Sequence, residues 1–113
     1  MKRVVITDAA FATLIDGVKN SLSKEVGIMK LHNLKIKAEY ANAKLRGDKP
    51  FEIRLNDRDF QVGDVVKYTC IDSSIIDEKI SKKLYCITYI TNFEQKDGYV
   101  VFGEKEAGIV PID

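Results

Sequence analysis

A lysine, a glutamate and an arginine stand close together in the chain at Lys49, Glu52 and Arg54. Each has a chemistry that a nucleotide requires. A lysine places a compact point charge on phosphate, while an arginine grips phosphate in two places or stacks on a base. A carboxylate accepts a hydrogen from a base amino group. The competing reading is that Glu52 and Arg54, two apart on one strand, form an exposed ion pair worth ~0–1 kcal/mol. Were the chain an enzyme, Lys49 would be the nucleophile or base, and Glu52 or a later acid such as Glu94 would shuttle protons.

The surroundings are basic locally rather than globally. The 113 residues carry a formal charge of only +1, which excludes the strong positive balance of bulk, sequence-independent nucleic-acid binders. Between Lys30 and Arg58, however, Lys and Arg outnumber Asp and Glu, and Lys35, Lys37 and Arg58 extend the patch around Lys49 and Arg54. Five tyrosines, at 40, 68, 85, 89 and 99, offer stacking surfaces worth ~1–3 kcal/mol per unpaired base, although most are expected in the core or at its rim. His32 is the single histidine, so neither a metal cluster nor a Ser/His/Asp triad is expected, and His32 is read as a support for its strand. Cys70 and Cys86 sit in apolar runs without Cys-x-x-Cys spacing and read as buried, reduced thiols. No Gly-rich phosphate loop occurs and no cofactor is expected. No apolar stretch approaches the roughly 20 residues that span a bilayer, and Thr7-Asp8 ends the first apolar run too early for a signal peptide. The expectation is a cytoplasmic protein with no membrane partner.

The elements that must position these residues follow from periodicity. Thr7 and Asp8 are helix N-caps, and Phe11, Leu14, Ile15, Val18 and Leu22 recur at three- and four-residue spacing. Residues 1–30 are therefore read as an accessory helix and linker, packed on the domain or forming a homodimer contact. From Leu31, alternation through Leu34 and Ile36 predicts a strand with Lys35 and Lys37 outward. Residues 38–46 return to helix formers, with Gly47 as C-cap. Phe51, Ile53 and Leu55 alternate with Glu52, Arg54 and Asn56; the apolar set is expected to fill the core, and the polar row on the opposite face to be either a solvated outer face or the floor of a binding cleft. Strands are expected over 65–71, 84–91 and 98–103, with 72–83 an exposed loop or short helical excursion. Residues 31–113 would form one small α+β domain built on a mostly antiparallel, closed or nearly closed sheet.

The ordered segments His32-x-Leu34-Lys35-Ile36-x-x-Glu39-Tyr40, Gly47-x-Lys49-x-Phe51-Glu52-Ile53-Arg54, Asn56-Asp57-Arg58-Asp59-Phe60-Gln61-Val62-Gly63-Asp64, Thr88-Tyr89-Ile90 and Gly98-Tyr99-Val100-Val101 resemble an ASCH-like family of unknown function common in bacteria and phages. The resemblance implies a PUA-like β-barrel with helices closing it and a role in binding RNA. It also implies a ligand cleft between the early helix and the strand of the Gly-x-Lys-x-x-Glu-x-Arg element, bringing together Lys49, Glu52 and Arg54. Tyr40, at the start of that helix, becomes the preferred stacking residue. One branch of the superfamily comprises small amidohydrolases acting on acetylated cytidine through a lysine, a threonine three residues later and a distant glutamate. Lys49 matches that lysine, but Glu52 stands where the threonine would be. The leading expectation is a non-catalytic binder of RNA, single-stranded nucleic acid or a nucleotide. The alternatives are such a hydrolase and a phage regulatory protein acting by protein contact.

Overall fold

The computed structural model describes the backbone of residues 2–6, 28–107 and 109–112, and the side chains of residues 30–107. The expected N-terminal helix and its proposed dimer contact fall in residues 7–27, outside the described residues.

Strand β1 (Lys2–Ile6) precedes β2 (Ile28–Ile36), helix α1 (Ala38–Leu45), β3 (Phe51–Leu55), β4 (Val65–Cys70), helix α2 (Ser74–Ile80), β5 (Leu84–Thr91), β6 (Tyr99–Ala107) and β7 (Ile109–Ile112). One seven-stranded sheet runs in the order β3-β6-β5-β4-β2-β1-β7. Among the described strands only β2 and β4 are parallel, aligned from Leu31 opposite Val65 to Ile36 opposite Cys70; the other neighbours are antiparallel. A register shift between Ile87 and Tyr89 bends β5 against β6. The five strands from β3 to β2 curl so that the Arg54 guanidinium on the first donates to the Lys35 carbonyl on the last, at 2.9 Å. The chain is thus α+β with a mixed, barrel-like sheet.

Both helices close onto this curve. Helix α1 has no side-chain cap of its own at Lys37; instead Asp72, just after β4, accepts from the Ala38 amide at 2.7 Å. Gly47, at φ +85°, takes the left-handed conformation that turns the chain toward β3. In the region left open as loop or helix, Ser73 caps α2 by accepting from Ile76, and Ile80 is buried. Leu34, Ile36, Ala41, Tyr68, Ile80, Ile87 and Phe102 anchor the core. Cys70 and Cys86 are buried and unbridged, and burial followed by the nearby Asp64 charge pushes the Cys86 thiol up to about 12. His32, also buried, bonds Asp64 at 2.8 Å and packs edge-on against Phe60, a supporting role for its strand.

One expectation is reversed. Strand β3 alternates, but Glu52 points inward and is only 3 % exposed, whereas Phe51, Ile53 and Leu55 are 38, 55 and 48 % exposed. The cause is β6, on which Val100, Phe102 and Glu104 face inward. Register sets Arg54 opposite Val100 and Glu52 opposite Phe102, so the polar row of β3 joins that inner face. The termini were also under-read: residues 2–6 and 109–112 add two strands where no sheet was expected, and β6 runs on to Ala107.

Candidate functional site

An inward-facing glutamate requires partners, because a buried, uncompensated carboxylate is costly. Lys44, on the inner face of α1, supplies the first. Its Nζ lies 2.9 Å from Glu52 Oε2 and 2.6 Å from Glu104 Oε2, and its side chain is 1 % exposed. Lys49, on the loop after α1, donates to the same Glu52 oxygen at 2.6 Å and to the Phe51 carbonyl at 3.0 Å. Arg54 takes the other Glu52 oxygen through Nε at 3.0 Å. Tyr68, on β4, donates a short hydrogen bond to Glu104 Oε1, and the Lys44 ammonium sits 4.9 Å from the Tyr68 ring centroid. Three cations, two carboxylates and a phenol therefore form one network between α1 and the sheet.

The two glutamates are driven apart. Burial alone would raise both. At Glu52 the Lys44 charge and the hydrogen bonds from Lys49 and Lys44 outweigh burial, so this carboxyl lies below its ordinary value. At Glu104 burial prevails, Glu52 adds to it, and the opposing Lys44 and Tyr68 interactions do not cancel the rise. Burial first, then the Glu104 charge, holds the Tyr68 phenol well above its usual range.

The outer side of the network opens into a cleft of about 550 Å³ between the end of β2, the start of α1 and β3. Lys35, Lys37, Tyr40, Lys49, Glu52 and Arg54 all line it, with Ile36, Phe51, Ile53 and Ile71 as apolar wall. Tyr40 is the third residue of α1 and exposed, its ring centroid 5.7 Å from Lys49 Nζ. Arg58 does not line the cleft; its guanidinium reaches the Asn33 carbonyl at 2.8 Å, farther back along β2. Of the remaining tyrosines, Tyr68 and Tyr85 are buried and Tyr89 and Tyr99 are exposed away from the cleft lining. Glu94 is also outside it, in an exposed turn at φ +58°. Among the described residues, no group of three or more His, Cys, Asp or Glu side chains is placed to hold a metal ion, and no helix is long and apolar enough to cross a membrane.

Two assignments change in this geometry. Glu52 is not an available acceptor for a base amino group, since both its oxygens are taken by Lys44, Lys49 and Arg54. The partner acid within the network is Glu104 rather than Glu94. Sequence reasoning missed Lys44 and Glu104, although Glu104 continues the two-residue inward phase of Val100 and Phe102, and Lys44 follows buried Ala41 by three, on one helical face.

No curated protein matches the chain. A family model described as Domain of unknown function (DUF3850) matches residues 31–103, from β2 through the inward-facing stretch of β6 that pairs with β3. That span holds the whole cleft and covers well over half of the sequence, so the chain belongs to this family.

Proposed function

We propose that this is a non-catalytic nucleic-acid-binding domain with an ASCH/PUA-like barrel, taking an unpaired nucleotide of single-stranded RNA in the β2-α1-β3 cleft. One observation carries the reading: Lys35, Lys37, Lys49 and Arg54 converge with the exposed Tyr40 on one cleft of a nearly neutral chain. Four cations against a single, fully occupied carboxylate favour phosphate, and the tyrosine beside an apolar wall favours a base. The cleft volume is in the range of small-ligand sites, which suits one nucleotide rather than a duplex.

The test is a fluorescence titration of single-stranded RNA, duplex RNA and DNA with the wild type and with Lys35→Ala/Lys37→Ala. These two lysines are exposed and make no side-chain ion pair among the described residues, so their removal leaves the buried network intact. Binding of the single strand that weakens in the double variant is the expected result; equal binding by both proteins overturns the proposal.

A hydrolytic reading is favoured by one observation, the opposite displacement of the Glu52 and Glu104 carboxyls around Lys44, a pattern that separates acid from base. Against it, Glu52 occupies the threonine position of the nucleoside amidohydrolases, and Lys49 is engaged as donor to Glu52 and to the Phe51 carbonyl. It requires release of acetate from acetylated cytidine by the wild type.

A further inference from the structure

The cleft wall contains a hydrogen-bonding edge that no side chain reveals. Among the described residues, strand β3 ends the sheet, pairing with β6 on one side only. Asn56 N–H donates to the Gly98 carbonyl at 2.8 Å, and the Pro50 carbonyl accepts from Glu104 N–H at 3.1 Å. Positions in phase with 50 and 56 therefore turn their amides to β6. Strand geometry then turns the amides of Phe51, Ile53 and Leu55 to the opposite edge. The Phe51 carbonyl agrees with this phase, since it accepts from Lys49 and Lys44 at 3.0 and 3.4 Å. Ile53 lines the cleft, and among the described residues no strand pairs with its edge.

We infer that the free-edge N–H and C=O of Ile53 read the edge of a nucleobase in the cleft. This rests on the nucleotide-binding reading above and deepens it. A phosphate presents only acceptors and is served by the lysines alone. A base edge presents a donor beside an acceptor, and one extended residue offers the matching acceptor and donor side by side. Glu52 is spent, so among the side chains of the lining no carboxylate remains for an amino group. The Ile53 carbonyl takes that amino hydrogen, the Ile53 N–H meets the adjacent ring nitrogen, and Tyr40 stacks on the ring. Adenine and cytosine both present this pair.

The experiment uses the full chain, isotopically labelled, titrated by NMR with adenosine 5′-monophosphate and with ribose 5-phosphate. The expected result is that the Ile53 amide proton shifts on adding the nucleotide and not the sugar phosphate. Ile53→Pro then binds the nucleotide about tenfold more weakly, while Ile53→Val binds as the wild type does. Proline is tolerated on an edge whose N–H pairs with no strand. If Ile53→Pro does not fold, the wild-type amide shift decides. Equal binding of sugar phosphate and nucleotide, or an unmoved Ile53 amide on nucleotide binding, overturns base reading and leaves the cationic cleft standing. Failure of the nucleotide and of single-stranded RNA to bind at all overturns both.

Discussion

At the scale of single residues, the two glutamates that share Lys44 set the pH response. Glu52, lowered in the folded protein, contributes stability that is present above the unfolded carboxyl value and lost as pH falls through its folded value. Glu104, raised in the folded protein, acts in the opposite sense: the folded state holds its proton more tightly, so stability falls as pH rises through its folded value. On acidification from neutrality, stability should first rise and then fall, giving a maximum on the acid side. Urea midpoints followed from neutral to about pH 3 should show this maximum, and Glu104→Gln should abolish the rise while keeping the fall. A wild-type curve that declines monotonically would contradict the assignment. Lys44→Met makes a sharper demand, because it strands two buried carboxylates. It should cost about 3–5 kcal/mol in chemical denaturation at neutral pH, several times the effect of removing an exposed ion pair such as Arg46 with Asp48.

At the scale of elements, β3 is where sequence and structure part. Its two-residue period is plain in Phe51-Glu52-Ile53-Arg54-Leu55, but periodicity fixes only which residues share a face, not which face is inside. Hydrophobicity selects the wrong one because the inward Glu52 is neutralised by Lys44 from α1, by Lys49 and by Arg54, while the inner face it joins is set by pairing with Phe102 on β6, far away in sequence. Leu55→Thr should therefore change stability by no more than about 1 kcal/mol, whereas Phe102→Ala, on the facing strand, should cost about 3–5 kcal/mol, both read from thermal or urea unfolding. A Leu55 effect as large as that of Phe102 would mean that the apolar row of β3 is buried after all. Elements with local signals were legible: α1 from its helix formers and Gly47, β4 and β5 from β-branched and aromatic runs. The Asp72 cap of α1 was not, since it comes from beyond β4.

At the scale of the whole molecule, curvature makes the site. Opposite ends of the five-strand curl meet at Arg54 and Lys35, and the seam between them is bridged by side chains instead of backbone ladder bonds. Arg58 makes a second such bridge to Asn33. The cleft occupies this seam, which explains why six of the seven residues singled out from sequence line one space while Arg58 stands behind it. Their types and rough grouping were legible, but the buried Lys44-Glu104 pair that orders them was not, because its members lie 60 residues apart. The central claim, that the cleft is a cationic nucleotide site, is tested most directly by the salt dependence of single-stranded RNA affinity in the wild type and in Lys35→Ala/Lys37→Ala. If the two lysines contact phosphate, the slope of log affinity against log salt should be shallower by about 1–2 in the variant, with unfolding unchanged. A wild-type affinity indifferent to salt, or identical slopes in the two proteins, would contradict the account.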